Sequence, residues 1–324
     1  MTATPAFQMI ETNGIRLRVA VQGKGPLCVL VHGWPESWYS WRHQIQPLCD
    51  AGFRVAVPDV RGYGGSDKPE PIEAYDMVSL NADVVGLISA LGEQQAILIG
   101  HDWGAPIVWT TAARHPERVR AVVGMSVPHL GRGERPVIDV LKHLYKDRFF
   151  YQIYFQEPGV AERELDADPA ASIRKVYYSA SGDARAGNGG LSGNNKPPGA
   201  KLLDGLPDPD PLPAWLTAED VAYYAGEFAR SGFRGGLNRY RNQERDHALM
   251  PELSQRKIEQ PALFIAGTRD PVLSFVPGMR LSDAMDPWYT DLRGKVLIEG
   301  GGHWIQQERP AEVNAALLPF LRGL

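Results

Sequence analysis

Apolar residues recur along this chain in short continuous runs, and helix-sized segments separate most of them. The runs lie at residues 26–32, 53–59, 96–100, 119–125, 262–267 and 295–298. Strands that are apolar at successive positions are typical of a parallel sheet that is covered by helices on both faces. Residues 7–20 alternate more loosely, which predicts paired strands at an edge of the sheet. The pattern therefore predicts an α/β fold with a mostly parallel central sheet flanked by helices.

The strand pattern stops in the middle of the chain. From about residue 128 to residue 250 the pattern instead predicts aromatic-rich helical segments, at 137–156, 169–179, 218–231 and 237–246. Residues 181–213 are rich in Gly, Pro and Asn, which predicts a long loop. We expect an all-helical cap over residues 130–250, inserted between the two core segments 1–129 and 251–324. Cap and core would enclose a cleft.

Composition narrows the possible partners. The 324 residues include 34 basic and 38 acidic side chains, and the net charge of −4 is too small to indicate binding to nucleic acid or to a membrane surface. Residues 1–14 lack the pattern of a signal peptide, and no run approaches the ~18 apolar residues of a membrane span. We therefore expect a cytoplasmic protein. Cys28 and Cys49 are predicted to be free thiols, and neither lies at a metal-ligand spacing.

The sequence Gly-His-Asp-Trp-Gly at 100–104 follows a strand-like run and precedes a segment that can begin a helix. A strand, a turn bounded by glycines and a helix form the nucleophile elbow, usually written G-x-S-x-G. Here the central residue is Asp102, which argues against an ordinary serine esterase. A carboxylate needs no base to deprotonate it, and it can displace a leaving group from saturated carbon to form an ester with the enzyme.

Two later loops carry the partners that such a nucleophile needs. Asp270 and His303 each follow a strand-like run, so all three side chains are predicted to meet at the carboxyl edge of the sheet. The order nucleophile, acid, histidine is that of the G-x-S-x-G hydrolases. Asp59 is an alternative acid, although its Asp-Val-Arg-Gly-Tyr-Gly context fits a structural loop better. The glycines there do not have dinucleotide-binding spacing, and we predict no metal or cofactor.

With these motifs, the chain resembles the soluble-type epoxide hydrolases of the α/β-hydrolase fold over nearly its whole length. The motifs that carry the resemblance are His-Gly-Trp-Pro-Glu-Ser-Trp at 32–38, Arg-Gly-Tyr-Gly-Gly-Ser at 61–66, His-Asp-Trp-Gly at 101–104 and Gly-His-Trp at 302–304, with Tyr-Gln-Ile-Tyr-Phe-Gln-Glu-Pro-Gly at 151–159 and Asn-Arg-Tyr-Arg-Asn at 238–242 in the cap. By this match Tyr151 and Tyr240 are the tyrosine pair of the family, and Tyr154 is a packing neighbour.

The resemblance implies a mechanism for these residues. Asp102 would open an epoxide while Tyr151 and Tyr240 donate to the ring oxygen, and His303, oriented by Asp270, would activate a water that releases a vicinal diol.

The resemblance assigns the oxyanion hole to the backbone N–H groups of Trp34 and Trp103, and it implies a cis peptide bond before Pro35. The side chains of Trp34, Trp103 and Trp304 are further candidates for contact with the substrate.

Two other functions stay open at this point. A haloalkane or haloacid dehalogenase would share the Asp102 nucleophile, and the Trp103 indole N–H could hold a halide. A halide leaves without a proton, however, so the paired phenols favour an epoxide. From a different class, the chain could be a non-catalytic ligand-binding protein of the hydrolase fold, although the complete triad argues against this. A homodimer is compatible with a capped hydrolase, but no residue pattern requires one.

Overall fold

A single mixed sheet forms the centre of the computed structural model, which describes residues 5–184 and 196–324. Its 8 strands follow the order β1-β2-β4-β3-β5-β6-β7-β8. β1 and β2 are antiparallel, as are β2 and β4, and the remaining pairs are parallel. The strands are β1 Ala6–Thr12, β2 Ile15–Gly23, β3 Leu27–Val31, β4 Arg54–Pro58, β5 Ala96–His101, β6 Val119–Met125, β7 Ala262–Gly267 and β8 Leu292–Ile298. The predicted mostly parallel sheet with paired edge strands is confirmed.

Both faces of the sheet are covered, which explains the continuous apolar runs. Alternate side chains of one strand enter opposite hydrophobic layers, so that Leu98 packs into one layer while Ile97 and Ile99 pack into the other. The helices of the core are α1 Arg42–Asp50, α2 Met77–Ala90, α3 Gly104–Arg114, α11 Ile305–Glu308 and α12 Pro310–Arg322. Cys28 and Cys49 are free thiols. In the described part of the chain, no helix has the length and apolar character to cross a membrane.

A block of helices lies between β6 and β7, as predicted. These helices are α4 Val137–Leu144, α5 Tyr151–Tyr154, α6 Val160–Leu165, α7 Pro169–Ala180, α8 Ala218–Ser231, α9 Arg234–Tyr240 and α10 Gln243–Leu249. The block has its own aromatic hydrophobic core, which also contains Trp34 and Tyr63 from the loops of the sheet. The cap and the loops at the carboxyl edge of the sheet therefore share one hydrophobic cluster. The domain boundaries at 129/130 and 250/251 stay a prediction.

Two details of the predicted cap were wrong. The predicted helix over 137–156 is interrupted between α4 and α5, because Tyr145 and Phe150 turn inward and stack with ring centroids 4.2 Å apart. The predicted helix over 237–246 is likewise divided between α9 and α10. In the predicted loop over 181–213, residues 196–213 have neither helix nor strand, and 185–195 lie outside the described residues.

Ion pairs attach helix α8 of the cap to the core. Arg18 of β2 donates to Glu227 at 2.7 Å, and Arg42 of α1 lies 3.2 Å from Asp220. The Tyr39 hydroxyl also donates to Asp220, at 2.9 Å. These contacts hold the cap over the carboxyl edge of the sheet.

The central strand β5 offers a test of the core. Leu98 is fully buried, so Leu98→Ala should lower the free energy of unfolding by about 2–5 kcal/mol through lost burial and a residual cavity. Thermal denaturation should show a lower midpoint. Leu249, which is 40% exposed, supplies the matched control: Leu249→Ala should change the midpoint little. Equal midpoints for the two variants would contradict this account of the core.

Candidate active site

Asp102 occupies a tight turn between β5 and α3. Its φ of 49° lies in the left-handed region, which residues other than glycine rarely adopt. A Cβ on Gly100 would overlap the carbonyl of Gly104, and a Cβ on Gly104 would overlap the carbonyl of Val31. Glycine is therefore required on both sides of the turn, and the strand, turn and helix predicted for this motif are confirmed.

The Asp102 carboxylate is buried and held at both oxygens. The backbone N–H of Trp34 donates to Oδ1 at 2.7 Å, and His303 Nε2 lies 3.2 Å from Oδ2. A Cβ on Gly33 would overlap this carboxylate, so glycine at this position lets the loop after β3 approach it. The peptide bond between Trp34 and Pro35 is cis, as the resemblance implied.

His303 lies between two carboxylates. Its Nδ1 is 3.1 Å from Oδ1 and 3.2 Å from Oδ2 of Asp270, which itself accepts a hydrogen bond from the backbone N–H of Val272 at 2.9 Å. Burial alone would lower the pKa of His303, but the charge of Asp270 and the hydrogen bonds to Asp270 and Asp102 raise it well above its usual range. The structure thus brings the three predicted side chains together.

Two other residues considered from the sequence make structural contacts. Asp59 accepts from Arg18 at 2.5 Å and from the backbone N–H of Gly65 at 3.0 Å, whereas the acid beside His303 is Asp270. The Trp304 indole N–H donates to the carbonyl of Tyr177 at 2.7 Å, and the two rings stack with centroids 4.3 Å apart. A role of Trp304 in substrate contact stays a prediction.

The two cap tyrosines reach the elbow from neighbouring helices. Tyr151 is the first residue of α5 and Tyr240 is the last residue of α9, and their ring centroids are 5.9 Å apart. The ring of Tyr240 also packs edge to face against Trp103 at 5.2 Å and against Trp34 at 5.8 Å. Both phenols therefore belong to the aromatic cluster that covers Asp102.

The environment keeps these phenols protonated. Burial raises the pKa of Tyr151 and Tyr240, and the negative charge of Asp102 raises both further. Protonated phenols are hydrogen-bond donors. Tyr154, in contrast, donates to Glu164 at 2.8 Å within the cap.

Glu36 is a site residue that the sequence analysis did not identify. Its buried carboxylate accepts from the backbone N–H of Gly33 at 2.9 Å and from Gln306 at 3.0 Å, and it lies 2.7 Å from His101 Nδ1. His101 Nε2 is 2.6 Å from the carbonyl oxygen of His303. The ring therefore bridges the carboxylate of Glu36 and the backbone carbonyl of His303.

Contact with His101 favours the ionised form of Glu36. Burial alone would raise the pKa of Glu36, but the adjacent His101 lowers it to about 2. Glu36 lies in the motif at 32–38 and His101 in the motif at 101–104. The sequence therefore shows both residues but not that they form a pair.

Arg239 was also missed. Its guanidinium lies over the Trp103 ring, 4.9 Å from the centroid, and donates to the carbonyl of Tyr75 at 2.5 Å. Burial lowers the pKa of Arg239 to about 9. This cation supports the indole that packs against Tyr240. Within 5–184 and 196–324, no cluster of His, Cys, Asp and Glu side chains is suited to hold a metal ion.

Comparisons with known proteins agree with this architecture. Residues 26–157 match the family model described as the alpha/beta hydrolase fold. Epoxide hydrolase A of Mycobacterium tuberculosis is 47% identical over 325 residues, covering 99% of this chain and 98% of that protein.

Solved structures give the same result. The crystal structure of epoxide hydrolase A from Mycobacterium thermoresistibile has a TM-score of 0.91 and 49% identity, with 99% of both chains covered. An epoxide hydrolase from an endophytic Streptomyces has a TM-score of 0.93 and 43% identity, covering 99% of this chain and 96% of that one.

The sheet order, the elbow and the inserted helices define an α/β hydrolase. Within that class, the chain belongs to the epoxide hydrolase family, and with it to the hydrolases that act on ether bonds.

The Glu36–His101 pair yields a prediction. Glu36→Gln removes one partner of a fully buried pair, which should destabilise the folded protein by about 3–5 kcal/mol. The measurement is the thermal unfolding midpoint. Glu11 is an exposed residue of β1, and Glu11→Gln makes the same change in charge at a site where it should have little effect. An unchanged midpoint in Glu36→Gln would argue against the pair.

Proposed function

We propose that the protein converts epoxides and water to vicinal diols through a covalent ester on Asp102. The observation that carries this proposal is the placement of two buried, protonated phenols in the aromatic cluster above a buried carboxylate. An epoxide needs both a nucleophile for carbon and a proton donor for oxygen. The names of the relatives from the two Mycobacterium species and from Streptomyces support the same substrate class.

In the first step, a carboxylate oxygen of Asp102 forms a bond to one ring carbon. The bond from that carbon to the ring oxygen breaks, and its electron pair passes to the oxygen. Tyr151 and Tyr240 hydrogen-bond to this oxygen and supply the proton, because an alkoxide is more basic than a phenolate. The product is a hydroxyalkyl ester of Asp102.

Formation of the ester changes the charge beside His303. The negative charge of Asp102 is one of the causes that raise the pKa of His303, and the ester removes this charge. The pKa of His303 therefore falls after alkylation, and its proton passes by way of water to the phenolate that ring opening left. His303 is then the neutral base that the second step needs. The charge of Asp270 remains and stabilises the imidazolium that forms when water is deprotonated.

In the second step, His303 takes a proton from water, and the hydroxide attacks the ester carbonyl of Asp102. The oxyanion would be held by the N–H of Trp34, which already contacts Oδ1 at 2.7 Å, and by that of Trp103. Collapse of this intermediate breaks the bond between the carbonyl carbon and the alkyl oxygen. The departing oxygen takes the proton of the added hydroxyl, which releases the diol and regenerates the carboxylate. One oxygen of the first diol released therefore comes from Asp102.

The covalent intermediate can be trapped. His303→Gln removes the base but leaves the nucleophile, so an epoxide such as styrene oxide should add its whole mass to the protein, and peptide mapping should place the adduct on Asp102. Asp102→Ala should give neither adduct nor diol.

Two further results complete this test. A single turnover of the unsubstituted enzyme in ¹⁸O-water should give a first diol without label. No adduct in His303→Gln would contradict the two-step scheme, and an adduct with a chloroalkane in place of the epoxide would favour carbon–halogen cleavage.

The phenols should act in the first step. Tyr151→Phe and Tyr240→Phe should each slow alkylation, and the double variant should lose about 10²–10⁴-fold, the usual contribution of general acid catalysis. Rapid-quench mass spectrometry in the His303→Gln background measures this step alone. Tyr154→Phe is the matched control, since the Tyr154 phenol donates to Glu164, and its rate should stay unchanged. Full activity in the double variant would refute the role of the pair.

A further inference from the structure

Glu308 is a buried acid at the end of α11, five positions after His303 in the chain. Its carboxylate accepts three backbone hydrogen bonds. Oε2 accepts from Gly182 at 2.8 Å and from Gly302 at 2.9 Å, and Oε1 accepts from Trp304 at 2.9 Å. Gly302 and Trp304 are the residues on either side of His303, whereas Gly182 follows helix α7 of the cap. One side chain thus joins the histidine loop to the cap.

The backbone around this carboxylate is in close contact. The N–H of His303 donates to the carbonyl of Ala180 at 2.9 Å, and Arg269 donates to the carbonyl of Gly182 at 2.9 Å. A Cβ on Gly182 would overlap the backbone of the histidine loop, and a Cβ on Gly302 would overlap the backbone of residues 181 and 182. The end of α7 and the histidine loop therefore form a single packed unit.

The three donors require an acceptor at both oxygens of the side chain. A carboxylate provides this, whereas an amide has one acceptor atom and must direct its NH₂ group toward at least one backbone N–H. Burial and the charge of Asp270 raise the pKa of Glu308 to about 7, and the three backbone hydrogen bonds oppose this effect. Above that pH Glu308 is a carboxylate and accepts at both oxygens. Glutamine at this position would therefore disturb the contacts on both sides of His303 while keeping almost the same volume.

We propose that Glu308 is a positioning residue for hydrolysis of the ester: it ties the histidine loop to the cap and so aligns His303 on the attacking water. This inference rests on the proposed function. Alkylation depends on Asp102 and the cap tyrosines. His303 contacts Oδ2 of Asp102, but the N–H of Trp34 holds Oδ1 from a different loop. Loss of the Glu308 contacts should consequently slow the second step much more than the first.

The test compares Glu308→Gln with Glu312→Gln. Glu312 is exposed in the first turn of α12, so the control makes the same change in charge close by in the chain. With styrene oxide at a pH well above 7, where Glu308 is ionised, rapid-quench mass spectrometry gives the rates at which the Asp102 ester forms and disappears.

In Glu308→Gln, hydrolysis should slow by about tenfold or more, as expected when a catalytic group is misaligned. Alkylation should change by less than about threefold, because the nucleophile and the phenols stay in place. The ester should then accumulate, and kcat and KM should fall together while kcat/KM is kept. Glu312→Gln should behave as the unsubstituted enzyme.

A merely structural role would give a different result. If folded Glu308→Gln slows alkylation and hydrolysis equally, or slows neither, the proposal is overturned. Glu308→Asp keeps both acceptor oxygens on a shorter side chain, so its hydrolysis rate should lie between those of the unsubstituted enzyme and the Gln variant.

If Glu308→Gln does not fold, Glu308→Asp must show the selective loss of hydrolysis; equal loss in both steps, or misfolding of both variants, overturns the inference. Absence of an ester from both the unsubstituted enzyme and His303→Gln would instead overturn the proposed function, and the inference with it.

Discussion

The arrangement of the site depends on the hydrogen bonds of the buried Glu36 carboxylate. Parallel strands bring the loops after β3, β5 and β8 to the same edge, but strand spacing alone does not fix the loops relative to one another. Glu36 bonds to Gly33 in the first loop, to His101 at the elbow and to Gln306 in α11. His101 continues this network to the carbonyl of His303. One buried pair thereby holds the surroundings of the nucleophile and the base together.

The negative charge of Asp102 is a second feature on which the site depends, because it changes the pKa of several neighbouring groups. In the free enzyme it raises the pKa of His303 and of the phenols of Tyr151 and Tyr240. Protonated phenols suit ring opening, whereas a neutral histidine suits hydrolysis. In the proposed cycle, the ester on Asp102 removes the charge between these two steps. The covalent intermediate itself would then prepare the site for its own breakdown.

Sequence patterns predicted the parts of this molecule that depend on local regularity. The apolar runs gave the strands, and the glycines around Asp102 gave the elbow. The break between α4 and α5 was not predictable, because Tyr145 and Phe150 fit a helical pattern but pack inward in the cap. Glu308 was missed for a different reason: its partners are backbone N–H groups, which leave no signature in side-chain spacing. The motifs identified the residue types of the site, whereas packing between distant parts of the chain determined which of these residues are in contact.

The contacts of Ala180 and Gly182 with the histidine loop affect the design of chimeras in which the cap is exchanged between family members. Consider a chimera that takes the entire helical insert from another family member. It would replace the residues that contact the histidine loop at positions 180 and 182, together with the cap residues that face the substrate. Selectivity and the rate of ester breakdown would then change together. A junction placed after residue 184 would retain the native end of α7 and would replace only the later half of the insert. The contacts of the histidine loop thus extend into the predicted cap as far as Gly182.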